Sequence, residues 1–351
     1  MRISVEPFGA TPDGGEVLLY TFENSKGMKV ELLNFGGVIR SIQVPDKKGN
    51  LSDVVLGHET LEGYFENPGY LGAVVGRNCN RVAGAEAAIF GKSYPLEANN
   101  GNHNLHSGSG SLCYRLFSSE VHTFNNLPVL LLNYKLADLA DGFPGELNVN
   151  IIYALTEDNA LMIDYRAVSD KDTVINLTNH SYFNLAGHDS GTIYGHILEM
   201  NAPFYTPTGS DSIPTGEVLQ VAGTPLDFTT PKPIGRDIGS SYPQLHQVGG
   251  YDHNFVLAGS DYRKIATVSE PVSGRVMEVY TDLPGVQFYT GNAIDTSHIY
   301  KNGVSYAKHQ GFCLETQIFP NAVNVPWFPS PIFSAGEQYA STTTFQFSVK
   351  E

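Results

Sequence analysis

A chain of 351 residues with 41% hydrophobic and 16% charged residues has the composition of a globular protein with a large core. The formal net charge of −15 disfavours nucleic acid as a partner, because an acidic surface repels a phosphate backbone. Cys79, Cys113 and Cys313 are far apart and form no CxxC pair, so we predict neither a disulfide framework nor a thiolate zinc site. The first residues contain no apolar signal segment, and no run approaches the ~18 apolar residues of a membrane span. We therefore expect a cytoplasmic protein with no membrane partner.

Taken in chain order, the predicted elements are mainly strands. Apolar side chains occupy every second position in four segments. Since successive side chains of a strand point to opposite faces, each segment predicts a strand with one buried side. These segments are residues 28–33, 147–153, 161–166 and 345–350. The only helix that we predict is short and spans residues 60–66. Glycine, proline and aspartate mark turns at residues 45–50, 141–145, 207–210 and 282–285.

The pattern as a whole indicates an all-β fold. The 36 glycines, 20 prolines, 19 tyrosines and 19 phenylalanines favour strands and turns over helices. Many short strands at regular spacing are typical of a β-sandwich or barrel. No linker, low-complexity tract or internal repeat divides the sequence, so we predict a single domain over residues 1–351.

Clusters of polar and reactive residues interrupt the apolar pattern. They lie at residues 76–81, 100–108, 176–185, 250–255, 284–292 and 312–317. Their asparagines and histidines can both donate and accept hydrogen bonds, as sugar hydroxyls do, so the clusters favour a sugar ligand. A phosphorylated ligand would favour several Arg or Lys residues around a glycine-rich loop, and the segment 108–110 lacks the lysine of a phosphate-binding loop.

The residues alone leave their individual roles open. Glu315 lies among apolar residues of a predicted interior strand, where it is either a functional carboxylate or an outward-facing glutamate. His180 is either a site residue or a hydrogen-bonded structural histidine. His103 and His106 form an HxxH pair, which is a weak metal motif without a third convergent ligand, so we predict no metal. Arg81 taken alone is most simply a surface charge.

In their order along the chain, these clusters resemble the motifs of the aldose 1-epimerase (galactose mutarotase) family. The resemblance extends from the string Asn34-Phe-Gly-Gly to Tyr339, and it is strongest over residues 176–185 and 284–292. It implies a large antiparallel β-supersandwich. It also implies an isomerase that interconverts the α and β anomers of free hexoses such as galactose and glucose, with a monosaccharide as its partner and without a cofactor.

The resemblance also assigns expected roles to seven residues. Glu315, in the string Leu-Glu-Thr-Gln, is expected to be the general base, and His180, in Asn-His-Ser-Tyr-Phe-Asn, the general acid. The residues expected to bind the sugar are Asn80, Arg81, His106, Asp252 and Gln287. From ordinary pKa values of ~4.3 for Glu and ~6.5 for His, we expect the catalytic pair to start near its working protonation states at neutral pH.

The sequence departs from the family pattern after His106. Family members commonly have Leu-His-Gly-Gly, then Gly-Phe-Asp and a tryptophan; this chain has Ser and Gly over residues 107–111 and Phe117 at the tryptophan position. Cys79 replaces the usual alanine before Asn-Arg. These changes leave the expected catalytic pair intact, but they bear on the loop geometry and on which hexose, or pentose, is preferred.

Other functions remain open at this stage. A hexose 6-phosphate 1-epimerase would need cations for the phosphate beyond Arg81. A carbohydrate-binding or sensor protein would not need both Glu315 and His180. A glycoside hydrolase could use Glu315 and Asp252 as paired carboxylates. No motif determines the oligomeric state, and we expect a monomer or a weak homodimer.

Overall fold

The computed structural model describes residues 2–125 and 127–350, and most of its secondary structure is strand. The strands are β1 (Arg2–Ala10), β2 (Glu16–Glu23), β3 (Lys29–Leu33), β4 (Ile39–Pro45), β5 (Leu51–Asp53), β6 (Val74–Val75), β7 (Arg81–Val82), β8 (Glu86–Ile89), β9 (Lys92–Pro95), β10 (Asn104–Leu105), β11 (Ser118–Phe124), β12 (Leu127–Leu136), β13 (Leu147–Leu155), β14 (Ala160–Ser169), β15 (Thr173–Val174), β16 (Thr178–Asn179), β17 (Ile197–Met200), β18 (Phe204–Thr206), β19 (Leu219–Gln220), β20 (Lys232–Pro233), β21 (Asp252–Val256), β22 (Arg263–Ser269), β23 (Arg275–Thr281), β24 (Gly285–Tyr289), β25 (Cys313–Gln317), β26 (Ile332–Phe333) and β27 (Gln338–Val349). The α-helices are α1 (Leu61–Glu66) and α2 (Pro243–Val248). Short 3₁₀ turns span Ala83–Ala85, Gly108–Gly110, Leu112–Tyr114, Ala140–Gly142, Ile193–Gly195, Ile234–Arg236, Lys301–Gly303 and Ala322–Asn324.

Three antiparallel sheets form the body of the protein. The central sheet has nine strands in the order β11-β12-β13-β14-β27-β23-β22-β17-β20. An N-terminal sheet joins β1 to β5 in sequence order. The third sheet, which we call the site sheet, has the order β19-β18-β21-β24-β25. One hydrophobic cluster contains Val30 of the N-terminal sheet, Ile151 of the central sheet and Phe288 of the site sheet, so the three sheets share a core.

The predicted strands coincide with observed ones. The segments 28–33, 147–153, 161–166 and 345–350 correspond to β3, β13, β14 and the end of β27. Within β14, Leu161, Ile163 and Tyr165 are buried and the residues between them are partly exposed, which is the alternation that the sequence indicated. The prediction of an all-β fold is therefore confirmed.

The helix prediction was incomplete. Helix α1 lies at the predicted position, but α2 was missed, so the expectation of only one helix was wrong. Pro243 occupies the first turn of α2, and Gly249 ends it in the left-handed conformation at φ 68°. Proline at the start and glycine just after the end are the usual helix boundary signals. Within residues 2–125 and 127–350, no helix is long and apolar enough to cross a membrane.

The site sheet differs from an ordinary half-exposed sheet, because all five residues of β25 are buried. Leu314 belongs to the main hydrophobic core, whereas Glu315, the next residue along the strand, lines a cleft. In the register of this sheet Glu315 pairs with Gln287 of β24, and Asp252 of β21 pairs with Tyr289. Polar residues from three neighbouring strands therefore share one face.

Candidate active site

A cleft of about 420 Å³ lies over the polar face of the site sheet. Loops between the other elements complete its walls, including the segments around Tyr70 and His298. Every site residue that the sequence suggested lines this one cleft: Asn80, Arg81, His106, His180, Asp252, Gln287 and Glu315. Residues spread over 236 positions of the chain thus converge on a volume suited to a small polar molecule.

The two residues expected to be catalytic face each other in the cleft. His180 Nε2 lies 3.6 Å from Glu315 Oε2, and the side chains are 6% and 3% exposed. Glu315 Oε2 has no hydrogen-bond partner. Burial, reinforced by the negative charge of Asp252, raises the pKa of Glu315 well above its ordinary value. The carboxyl group is therefore both basic and open to a ligand.

Aromatic rings surround His180 and restrict access of water to it. Its ring stacks on Tyr182 at 5.0 Å and lies 5.8 Å from Tyr70. Its Nδ1 is 3.5 Å from the Cys313 thiol, so Nε2 is the nitrogen that faces Glu315. Burial lowers the pKa of His180 to about 4. When it carries a second proton, this imidazolium is consequently a stronger acid than a solvent-exposed one.

His106 is held in one orientation by Asn80. Its backbone N–H donates to the Asn80 carbonyl (3.0 Å), and the Asn80 backbone N–H donates to His106 Nδ1 (3.0 Å). Both residues adopt left-handed backbone conformations, with φ of 59° for Asn80 and 54° for His106. Burial lowers the pKa of His106 well below its ordinary value. A neutral imidazole that accepts at Nδ1 carries its proton on Nε2, so His106 can donate a hydrogen bond to a ligand.

The same geometry is unsuited to a metal ion. Ligand atoms of His106, His180 and Glu315 lie within 4.8 Å of one another, which makes them a candidate cation cluster. A histidine that binds a metal through Nε2 normally donates Nδ1–H to an acceptor. Here Nδ1 of His106 accepts a hydrogen bond from the backbone N–H of Asn80. If Nε2 bound a metal, Nδ1 would carry the proton, and its N–H would point at the N–H of Asn80.

Arg81, Asp252 and Gln287 form a polar group at the other side of the cleft. Gln287 Nε2 donates to Asp252 Oδ1 at 2.6 Å, and an Arg81 guanidinium nitrogen lies 3.7 Å from Asp252 Oδ2. Asn100 Oδ1 accepts from Arg81 Nε (3.3 Å). Arg81 and Asp252 side chains are each 15% exposed. These contacts hold the Arg81 guanidinium, a hydrogen-bond donor, and the Asp252 carboxylate, an acceptor, side by side in the cleft. A ligand with several hydroxyl groups needs both kinds of partner.

The altered loop after His106 is well anchored. Ser107 Oγ accepts from the backbone N–H of Asn78, and Glu97 Oε2 accepts from both the backbone N–H and the hydroxyl of Ser109. Phe117, at the position where the family usually has tryptophan, is buried and packs against Tyr134 at 5.7 Å. The substitutions are therefore accommodated without displacing His106 from the cleft.

Several residues around the cleft were not singled out from the sequence. Tyr70, Tyr182 and Tyr289 line it, and Gln317 lies buried behind it. The signal for Gln317 was its position two residues after Glu315, which places both side chains on the same face of a strand. Tyr182 and Tyr289 lie within the motif segments 176–185 and 284–292, whereas Tyr70 lies in a loop that no motif marks.

Known proteins with similar sequences and folds fall into one group. A sequence model described as aldose 1-epimerase matches residues 18–346. Galactose mutarotase of Bos taurus is 42% identical over 343 residues, covering 97% of each chain. Aldose 1-epimerase of Escherichia coli is 34% identical over 340 residues, covering 96% of each. The crystal structure of galactose 1-epimerase from Lactobacillus acidophilus superposes with a TM-score of 0.88 at 25% identity, covering 100% of this chain and 99% of that one. The fold is thus the galactose mutarotase-like β-supersandwich, and the chain belongs to the aldose 1-epimerase family.

Proposed function

We propose that this chain is an isomerase that interconverts the α and β anomers of free hexoses such as galactose and glucose, with Glu315 and His180 as its proton-transfer pair. The observation that carries these roles is the 3.6 Å approach of the two groups in a cleft, with Glu315 Oε2 free to accept a hydrogen bond. Relatives that are named galactose mutarotase and aldose 1-epimerase support the reaction.

The reaction opens and recloses a hemiacetal ring. Glu315 as a carboxylate takes the proton of the C1 hydroxyl, while His180 as an imidazolium protonates the ring oxygen, and the C1–O5 bond breaks. The product is the open-chain aldehyde, which rotates about C1–C2. Ring closure on the other face of the aldehyde then returns both protons. Each positioned proton-transfer group typically contributes ~10²–10⁴-fold to a rate.

The low polarity of the cleft favours the step that opens the ring. Before opening, the pair is ionised as carboxylate and imidazolium; after opening, it is neutral as carboxylic acid and imidazole. Burial favours the neutral forms, because it raises the pKa of Glu315 and lowers that of His180. The expectation from unperturbed pKa values is revised accordingly: we propose that the pair shares one proton, and that the ionised arrangement arises by exchange of that proton between the neighbouring groups.

The remaining cleft residues are proposed to bind the sugar. His106 donates from Nε2 close to the catalytic pair, and its neutral form adds no charge that would oppose protonation of His180. Asn80 and the polar group formed by Arg81, Asp252 and Gln287 contact ring hydroxyls. Because these groups are fixed by their own hydrogen bonds, they orient the ring before proton transfer begins.

A phosphorylated hexose fits the cleft less well than a free one. Among the described residues that line it, Arg81 is the one Arg or Lys side chain, and it already faces Asp252. A phosphate would place about two negative charges beside Asp252 and Glu315 with little compensation. We therefore propose a free monosaccharide as the substrate.

We also propose three properties of the whole protein. Residues 1–351 form a single domain, which is supported by the core that the three sheets share. The protein acts in the cytoplasm, in keeping with its three buried free cysteines, Cys79, Cys113 and Cys313. It is a monomer or a weak homodimer, since no sequence motif specifies an assembly.

Polarimetry tests the proposed function directly. The approach to equilibrium of freshly dissolved α-D-galactose and α-D-glucose is followed with wild-type protein, with Glu315→Gln, and with Glu278→Gln as a matched control. Glu278 pairs with Lys264 on the central sheet and is outside the cleft. We expect acceleration by wild type and the control, and its loss in Glu315→Gln. If wild type binds the sugars without accelerating the change, the chain is a carbohydrate-binding protein instead.

A further inference from the structure

Gln317 is a buried side chain directly behind the sugar-binding residues. It is fully inaccessible to solvent and lies on the same face of β25 as Glu315. Its Oε1 accepts from Asn80 Nδ2 at 3.2 Å. Its Nε2 donates to Gln287 Oε1 at 3.2 Å and to Asn254 Oδ1 at 3.0 Å. One amide on β25 therefore connects a cleft loop with the two adjacent strands β24 and β21 of the site sheet.

These contacts extend into a chain of hydrogen bonds with a fixed direction. The backbone N–H of Arg81 donates to Asn80 Oδ1 (2.9 Å), and the Asn80 amide donates to Gln317. Gln317 donates to Gln287, which in turn donates to Asp252 Oδ1 (2.6 Å). A backbone N–H can only donate and a carboxylate can only accept, so the two ends determine how every amide in between is turned.

We propose that Gln317 is a positioning residue for sugar binding, which sets the orientation of Asn80, Gln287 and Asp252 without touching the sugar. The proposal rests on the proposed function, because those three residues are assigned there to the sugar. Gln317 hydrogen-bonds both to Asn80, in the loop before β7, and to Gln287 on β24, so it links the two amides directly. Without Gln317, the side-chain amides of Asn80 and Gln287 would each lose a hydrogen bond and could rotate. Asp252, which accepts a hydrogen bond from Gln287, would then be less firmly oriented.

The expected kinetic signature is a change in binding rather than in proton transfer. The side-chain hydrogen bonds of Gln317 to Asn80, Asn254 and Gln287 do not include Glu315 or His180. Loss of orientation in the binding residues weakens the ground-state and transition-state complexes alike, which raises KM and leaves kcat nearly unchanged. A residue that acted only on folding would change the amount of active enzyme but not KM.

The first test compares Gln317→Met with Thr316→Val. Methionine fills the same volume without hydrogen-bonding capacity. Thr316 is the neighbouring residue of β25, is equally buried, and bonds to Thr343 rather than to cleft residues, so its variant controls for loss of a buried hydrogen bond in this strand. We expect Gln317→Met to raise KM for galactose about tenfold with kcat within about threefold of wild type, and Thr316→Val to keep the wild-type KM.

Gln317→Glu gives an independent readout through pH. An ionised carboxylate can accept from Asn80 but cannot donate to Gln287 or Asn254, whereas a protonated one regains one donor. The KM defect of Gln317→Glu should therefore shrink as the pH falls from about 8 to about 5.5, while that of Gln317→Met stays constant. A defect independent of pH in both variants would contradict the proposal.

A double-mutant cycle with Gln287→Met completes the test. If Gln317 acts through Gln287, the two KM effects are not additive, and the double variant is little worse than the more affected single variant. Additive effects, or a wild-type KM in Gln317→Met, would overturn the positioning role even if the wild-type enzyme is an efficient mutarotase. Absence of mutarotation in the wild type would instead refute the proposed function.

Discussion

The central sheet and the site sheet use burial in different ways. In β14 of the central sheet, buried apolar residues such as Ile163 alternate with partly exposed ones such as Asp164, so each strand has a core face and a solvent face. In β25 of the site sheet both faces are buried: Leu314 packs in the core, and Glu315 and Gln317 face the cleft or the layer behind it.

The comparison indicates that the buried polar residues of the site sheet reduce the stability of the fold but provide reactive groups in the cleft. A buried polar group costs free energy unless it is hydrogen-bonded, and a buried charge costs more. Gln317 is fully satisfied, but Glu315 Oε2 has no hydrogen-bond partner among the described residues. Such an unsatisfied carboxylate is costly for folding and useful for binding a substrate hydroxyl. Substitutions of cleft residues should accordingly lower activity more than stability, and substitutions in the core of the central sheet should lower stability more than activity.

The largest effect is expected for His180→Gln. The variant keeps a polar side chain of similar size but cannot shuttle a proton to the ring oxygen, so kcat/KM should fall by ~10²–10⁴-fold. The thermal unfolding midpoint should change little, because the neutral imidazole is already poorly solvated. Polarimetry and a thermal melt measure the two quantities on the same sample.

His196→Gln is the matched control for that variant. His196 is equally buried, but it lies outside the cleft and accepts a hydrogen bond from the backbone N–H of Leu185. This variant should melt earlier and keep kcat/KM within about threefold of wild type. Equal rate losses in both variants would show that the fold, rather than the proton transfer of His180, is the common cause.

The converse effect is expected for Ile163→Ala in the central sheet. Ile163 is completely buried between the neighbouring strands β13 and β27, so truncation leaves a cavity. We expect the free energy of unfolding to fall by about 2–5 kcal/mol and KM to stay at the wild-type value. Denaturant unfolding and kinetics well below the melting temperature test this pair of outcomes. A changed KM would mean that the two sheets are mechanically coupled.

A smaller, binding-specific effect is expected for Arg81→Ala. The guanidinium faces Asp252 and lines the cleft, so its loss removes a charge-assisted contact to the sugar. KM should rise about tenfold to a hundredfold with a smaller change in kcat. Arg236→Ala, at a side chain that is 67% exposed, provides the control and should leave both constants unchanged. An unaltered KM in Arg81→Ala would remove this residue from the sugar site.

Much of the fold, and the set of residues that converge on the cleft, could be predicted from the sequence. Alternation in segments such as 161–166 depends only on the two-residue period of a strand, which local sequence records directly. The cleft residues were found because motif strings such as 176–185 carry family information that no single residue does. Helix α2 could also have been found, since Pro243 and Gly249 bracket it.

The remaining features depend on contacts between distant segments. The role of Gln317 follows from the pairing of Asn254 with Gln287 and of Gln287 with Glu315, and the register of strands that are far apart in sequence is not encoded locally. The pKa directions of Glu315 and His180 depend on burial within the assembled cleft, which reference values do not include. The sequence thus grouped the residues that line the cleft, whereas the burial that shifts their pKa values arises only in the folded chain.

The smallest effect, and the one that addresses that burial, is the pH dependence of kcat/KM. In the proposed mechanism the active cleft holds one proton between Glu315 and His180, and activity on the acid side is lost when a second proton binds. Because burial lowers the pKa of His180 to about 4, this loss should begin well below the ~6.5 of an exposed histidine. Enzyme-catalysed rates, corrected for the spontaneous reaction, should therefore show no loss centred near pH 6.5 as the pH is lowered to 5.5. On the alkaline side the proton is lost only as the pH approaches the raised pKa of Glu315. An acid limb centred near 6.5 would mean that His180 titrates as if it were solvated, and that the aromatic rings around it do not control its acidity.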